Sequence, residues 1–301
     1  MDVDGREMLI SCGAALFGLR LAVWQAGFRP VVEFLPGWPG LDPLARVHLS
    51  ARAAPGPGER QLLSAVWRRH THRGPFAREP LPAGLLSALR RDAEAESAAL
   101  VLVDGHGPRA LARLVRAAQR RQAGDETLAA EVRSWTSPDA ARDGVPARAY
   151  VARPTHSAHR LAARDFDQGR GWGRLAAAGP APTATAVLVT AGDGPADWLR
   201  AGQALHRLLL RAASKWVFAS LHTQPLEVPS LRAAIRAQLG VVGRPQMVMQ
   251  FGRAHTAPLT GRRPAGSVLL PPSPIQEATN ALGGPAQRPW ADPGTGAGME
   301  G

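Results

Sequence analysis

Cysteine is almost missing. Cys12 is the only one in 301 residues, which excludes an intrachain disulfide and a cysteine zinc site. Lysine is as scarce, since Lys215 stands alone and every other one of the 36 basic residues is arginine. That bias, with 32 glycines and 27 prolines, has the look of a high-G+C genome, so the net charge of +12 argues less for nucleic acid than its size suggests. Aromatics make up 5% of the chain and Tyr150 is the only tyrosine. A stripe of arginines interleaved with stacking rings, as single-strand binders use, is absent. No uninterrupted apolar run approaches the roughly 20 residues of a membrane span. The longest uncharged stretch, residues 175–192, is broken by Gly179, Pro180 and Pro182. The start, Met1 to Glu7, is acidic and lacks the basic opening of a signal peptide. The expectation is a cytoplasmic protein with no membrane and no nucleic-acid partner. Its 45% hydrophobic content suffices for a sizeable core.

Apolar spacing predicts a helix over 6–27, with Leu9, Cys12, Leu16, Leu19 and Val23 on its buried face and Gly27 at its C-terminal end. Short strands are expected at 31–35 and 45–50. Helices follow at 59–69 and at 82–95, the latter with Pro82 in its first turn. The run AALVLV at 98–103 reads as a buried strand, and helices fill 107–122 and 125–134. Periodicity fails from about 136 to 180, a length that in a compact domain marks a lid or disorder. A strand at 185–190, a helix at 195–214, a strand at 216–221, a helix at 228–239 and a strand at 246–251 complete the pattern. Residues 271–301 read as a disordered tail. Placing Gly13 on Gly202 aligns Ala15 with Ala204, Leu16 with Leu205, Leu19 with Leu208 and Leu21 with Leu210, a faint internal echo that suggests two related halves.

The densest cationic cluster is Arg68-Arg69-His70-Thr71-His72-Arg73-Gly74. Guanidinium forks and a hydroxyl within seven residues match phosphate oxygens. The competing reading is a solvated basic helix end. Arg262-Arg263, just past the last strand, could supply the other side of an anion site. His70 and His72 would share a face on a strand, but no acidic or cysteine partner completes a metal set. Gly169 to Gly173 holds Gly-x-Gly-x-Gly without the strand and helix that a dinucleotide fingerprint needs. A Walker loop and a Gly-x-Ser-x-Gly elbow are both missing. Asp165-Phe166-Asp167 suits ordering of the long loop through Arg164 and Arg170. Asp193 and Asp197 suit a helix start.

In combination, four segments resemble the Acg-type branch of the nitroreductase-like flavoproteins. They are DGREMLISCGAALFGLRLAV at 4–23; RRHTHRGPF with PLPAGLLSAL at 68–89; DGVPARAY at 143–150 with RDFDQGRGWG at 164–173; and PADWLRAGQALHRLLLRAA, QPLEVPSLRA and RPQMVMQFG, ending in GRRP. They run in family order to about residue 270.

The resemblance implies an α+β fold with a mixed, mostly antiparallel sheet and packed helices. It implies two fused nitroreductase-type halves, the first truncated. Residues 1–55 would be the remnant of the first half, and 56–270 the second half with a lid insertion at about 136–180. The family pattern has a further segment before the equivalent of residue 4, with an Ala-Pro-Ser-x-x-Asn-x-Gln-Pro-Trp run that helps hold FMN. The sequence begins at Met1 without it. Arg69, Thr71 and Arg73 would hold the FMN phosphate, with Arg262 or Arg263 closing the site. Gln224 and Pro225 would lie near the isoalloxazine ring. The implied activity is hydride transfer from NAD(P)H through FMN to a nitroaromatic or quinone-type small molecule, with no catalytic side chain and no metal assigned. The implied assembly is a monomer with an internal pseudo-dimer, or a homodimer. The alternative is a flavin-sequestering protein, or a degenerate relative without flavin.

Overall fold

Helix α1 (Arg6–Gln25) runs from Arg6 until Gly27, whose φ of 85° lets the chain turn away at a conformation that suits only glycine without strain. The computed structural model describes residues 2, 4–36, 43–137, 144–149, 161–162, 164–166, 170–171, 181–254, 261 and 263–267. Contacts divide the chain into two units, Met1–Gly261 and Arg262–Gly301.

Within the first unit, β1 (Phe28–Phe34) and β2 (Ala45–Arg52) form an antiparallel hairpin that packs on α1. Both strands are longer than the spacing predicts. Helix α2 (Pro57–Leu63) stops short of the expected residue 69, and the chain continues to Arg69 in turns bonded three and four residues back. Helix α3 (Leu85–Glu94) begins at Gly84 rather than at Pro82. The proline sits one turn ahead, where its carbonyl accepts from Leu85 N–H at 3.2 Å. Strand β3 (Ala99–Val103), α4 (Gly107–Gln122) and α5 (Glu126–Ser134) fall where the pattern places them. The long irregular stretch contributes two short parallel strands, β4 (Thr136–Ser137) and β5 (Val145–Pro146). Strand β6 (Ala184–Thr190), α6 (Pro195–Ala213), β7 (Val217–Leu221), α7 (Pro229–Leu239) and β8 (Arg244–Arg253) complete the unit.

The central sheet has the order β3-β6-β8-β7, antiparallel throughout. Period-two alternation sends Leu188, Met249 and Ala219 to one face, where Leu89 of α3 and Leu208 of α6 cover them. Val187, Val189 and Val248 go to the other, under Leu111 of α4 and Ile235 of α7. The result is an α+β layering with helices on both faces, as expected. Each fully buried leucine or phenylalanine in these layers contributes about 1.5–3 kcal/mol.

Helix α1 has the length and mean apolarity of a membrane span, although Arg20 interrupts its apolar run. In the structure it packs against α6. The crossing is closed by two glycines: a Cβ on Gly13 would lie 2.1 Å from the Leu199 carbonyl oxygen, and one on Gly202 would lie 2.0 Å from that of Ile10. The contact is reciprocal, because Gly13 and Ile10 stand in the same offset to Gly202 and Leu199. Phe17 and His206, related by that offset too, meet edge-on at 5.8 Å. The echo in the sequence is thus a physical pairing of the two helices. Leu9, Leu16 and Val23 are buried as the spacing predicts and Ile10, Gly13, Phe17 and Leu21 join them, whereas Cys12 is half-buried and Leu19 is 51% exposed.

Charges tie α1, α3 and α6 together. Glu96, just past α3, accepts from Arg20 at 2.5 Å and from Arg207 at 2.9 Å, and Asp92 accepts from Arg207 at 2.8 Å and Arg211 at 2.7 Å. Each buried carboxylate is thus shared between two guanidiniums, which offsets its desolvation. In the second unit the described residues hold one short 3-10 turn, Ala265–Ser267, closed by Ser267 on the Pro264 carbonyl.

Candidate functional site

The Arg68–Arg73 cluster lies against the exposed edge of the sheet rather than on a solvated helix end. Strand β7 is the edge, and the cluster runs beside it in parallel. Thr71 bridges to Ala219, and His72 N–H donates to the Ala219 carbonyl at 2.9 Å. A little further on, Ala77 N–H donates to the Arg253 carbonyl at 2.8 Å. Two ring contacts hold the segment down. His70 stacks on Phe218 at 4.4 Å, and His72 on Phe76 at 4.6 Å. Phe76 needs Gly252 beneath it, since a Cβ there would come within 2.4 Å of the ring. The two histidines are thus buried packing groups. Among the described residues no group of three or more His, Cys, Asp or Glu could hold a metal.

Alternation along this segment separates His70 and His72 from Arg69, Thr71 and Arg73. Arg73 is the most telling of the three. Its guanidinium reaches only the Thr71 carbonyl, at 3.4 Å, and sits 5.5 Å over the ring of Phe166. Burial alone pulls its pKa below the usual arginine value, and among the described residues it forms no ion pair. A desolvated cation without a carboxylate is costly unless an anion comes to it.

The same strand carries the second half of the candidate site. Three residues beyond β7, Gln224 is 1% exposed, and among the described residues neither its Nε2 nor its Oε1 has a hydrogen-bond partner. Pro225 beside it is buried as well. His72 repeats the theme more mildly: Nε2–H donates to the Pro75 carbonyl at 3.1 Å, which leaves Nδ1 buried without a partner, and burial lowers its pKa. Arg262 lies outside the described residues, and Arg263 belongs to the second unit.

Three further groups adjoin the site: His222, which sequence reasoning missed, and Arg164 and Phe166, which fall in the stretch read as a lid. His222 is wholly buried, donates from Nδ1 to the Ala162 carbonyl at 3.3 Å and accepts the Ser220 hydroxyl at 3.0 Å. Burial, only partly countered by that carbonyl, lowers its pKa to about 4. Arg164 pairs with Glu227 and reaches Thr223 at 3.3 Å. Phe166 lies under Arg73, as above. Arg164 thus makes an ion pair with a residue 63 positions along the chain. Arg170 donates to Thr136 and to the Phe166 carbonyl, and Asp167 is outside the described residues. The described part of the long stretch thus lies down on the end of β7. Sequence offered only the stretch's length as a signal.

A cavity of about 830 Å³ opens elsewhere, between the start of α1 and α7. It is lined by internally paired charges. Gln246 accepts from Arg6 at 3.3 Å and from Arg232 at 3.1 Å, and Asp193 accepts from Trp198 at 2.9 Å and Arg232 at 2.5 Å. Asp197 accepts from Gly194 N–H at the start of α6, so both acids play the structural part expected of them. Glu7 is pushed up to about 7, chiefly by burial and then by the charge of Glu227, with Arg6 opposing.

The chain is 29% identical over 293 residues to "Putative NAD(P)H nitroreductase Rv3131" of Mycobacterium tuberculosis (strain ATCC 25618 / H37Rv), covering 95% of this chain and 80% of that one. It is 32% identical over 279 residues to "Uncharacterized protein Rv3127" of the same strain, covering 89% and 79%. It is 29% identical over 273 residues to "Putative NAD(P)H nitroreductase acg" of that strain, covering 89% and 82%. No family model matches. Among solved structures, an FMN-bound nitroreductase from Desulfitobacterium hafniense aligns with a TM-score of 0.45 at 13% identity, over 71% of this chain and 98% of that one. An FMN-bound nitroreductase from Bacteroides fragilis aligns with a TM-score of 0.42 at 14% identity, over 70% and 98%.

Proposed function

Because the chain belongs to the Acg family of nitroreductase-like proteins, we propose that it is an FMN-binding, NAD(P)H-dependent oxidoreductase acting on a nitroaromatic or quinone-type small molecule. The observation that carries this reading is the pair of unmet demands along β7. Arg73 is desolvated without an ion pair, and Gln224 is buried with both amide atoms open. A phosphate answers the first and a heterocyclic edge the second, and FMN has one at each end. Arg69, Thr71 and Arg73 would hold the phosphate, with Arg73 supplying a charge that water does not screen. Gln224 and Pro225 would border the ring. When bound, the flavin supplies the hydride chemistry, and the protein positions it and keeps water away. Ala162, Arg164 and Phe166 do the covering. The reciprocal crossing of α1 and α6 supports a descent from two fused halves.

The test is flavin content. The purified chain should bind FMN stoichiometrically by its visible spectrum. Arg69→Ala with Arg73→Ala should weaken that binding about 100-fold or more, the loss expected for two charge-assisted contacts. Unchanged flavin content in the double variant overturns the assignment of the phosphate site.

The contacts of Ala162, Arg164 and Phe166 favour a second reading, a protein that holds flavin without turning it over. Loaded protein that fails to oxidise NADH or NADPH would select it.

A further inference from the structure

A primary amide presents a donor and an acceptor side by side, the complement of a cis-amide edge on a planar ring. Glutamine reads adenine in the same bidentate way. In Gln224 both atoms are buried and both lack partners, a combination that in a finished interior costs stability and is rare. Pro225 restricts the backbone of Gln224. The Thr223 carbonyl, accepting from Leu226 N–H at 2.7 Å, closes the turn that carries it. The backbone that carries the amide is therefore set before any ligand arrives. A phosphate offers acceptors only. A single hydroxyl or water, taken alone, does not match two coplanar groups of opposite sense. The pyrimidine ring of a flavin does, through N3–H and the carbonyl next to it.

We infer that Gln224 is the specificity-determining residue of the site, selecting flavins with a free N3–H by a paired hydrogen bond to that lactam edge. The inference rests on the proposed FMN site and goes beyond it in naming the atoms that are read. It also assigns a cost. The flavin-free protein carries two unmet polar atoms so that the loaded protein can meet them, a trade that recurs at functional sites.

The experiment is a binding titration of the full chain with FMN and with N3-methyl-FMN, followed by flavin fluorescence, for the natural protein and for Gln224→Met. Methionine keeps the volume and removes both polar atoms. The natural protein should prefer FMN by about tenfold or more, the loss expected for a buried hydrogen bond left unmade. Gln224→Met should bind both flavins alike, at the weaker level. Without flavin, Gln224→Met should melt about 2–4 °C higher, because an unmet amide has been replaced by an apolar group. Equal binding of the two flavins by the natural protein overturns the inference while leaving the FMN site standing. A variant that keeps the preference, or that melts lower without flavin, assigns Gln224 a structural part and overturns it too. Absence of binding by either flavin would instead remove the FMN reading on which the inference rests.

Discussion

The crossing of α1 with α6 and the edge of β7 both bring distant parts of the chain into close contact, but they are finished to different degrees. At the crossing the Gly13 and Gly202 positions sit against facing carbonyls, Phe17 meets His206, and the His206 Nδ1–H donates to the Ala14 carbonyl at 2.6 Å. At the edge of β7 the backbone is paired too, yet among the described residues Arg73 has no anion and the Gln224 amide no partner. Polar groups left unmet in a well-packed interior are expensive. The crossing has its close contacts filled, whereas among the described residues the edge leaves part of its hydrogen-bonding capacity open, the capacity that the proposed flavin site would use.

The sharpest way to break this contrast is at the glycines. In an exposed helix, Gly→Ala stabilises by up to about 1 kcal/mol. Here Gly202→Ala should do the opposite, costing about 3–5 kcal/mol in urea unfolding, since the new methyl meets the Ile10 carbonyl rather than a mobile side chain. Gly13→Ala should cost about the same if the crossing is truly reciprocal. A neutral or stabilising effect at either position would show that the helices part easily.

The next effect belongs to the site. Burial lowers the pKa of His222 to about 4 in the folded chain, against an ordinary value of about 6.5. Between these values the unfolded chain binds the proton and the folded one does not. Stability should therefore fall as pH drops from about 6.5 to 4, by roughly 3 kcal/mol in full. His222→Gln should remove most of that loss. Unfolding midpoints at pH 4.5 and 7 that keep the same difference in the variant would refute it.

The smallest effect is at Glu7, whose carboxyl is about a third exposed and so partly screened; it titrates near 7 in the folded chain against an ordinary value near 4.5. Here the folded state holds the proton longer, so the contribution to stability falls as pH rises through that window, opposite in sign to that of His222. Glu7→Gln should flatten this component and leave the protein slightly more stable at pH 8. A variant less stable there would show that the ion pair with Arg6, at 3.0 Å, outweighs the burial of the charge.

Elements with strong periodicity were legible from the chain alone. α4, α6, α7 and β6 lie within a residue or two of where spacing places them. This follows because each buries one stripe or one face, and burial is written into residue order. The cationic cluster could be singled out as residue types suited to a phosphate, whereas Gln224 entered only through the family resemblance. Only the tertiary structure showed why α1 buries Ile10 and Phe17 rather than Leu19. That choice is made by α6, and the helix is apolar on too many sides for spacing to decide. Only the fold revealed that Arg164 pairs with Glu227, since long-range ion pairs leave no local trace. The sequence determined which groups the protein has to offer. Tertiary packing decided which of them, Arg73 and Gln224 foremost, remain unmet, because partnership depends on which segments come to share an interior.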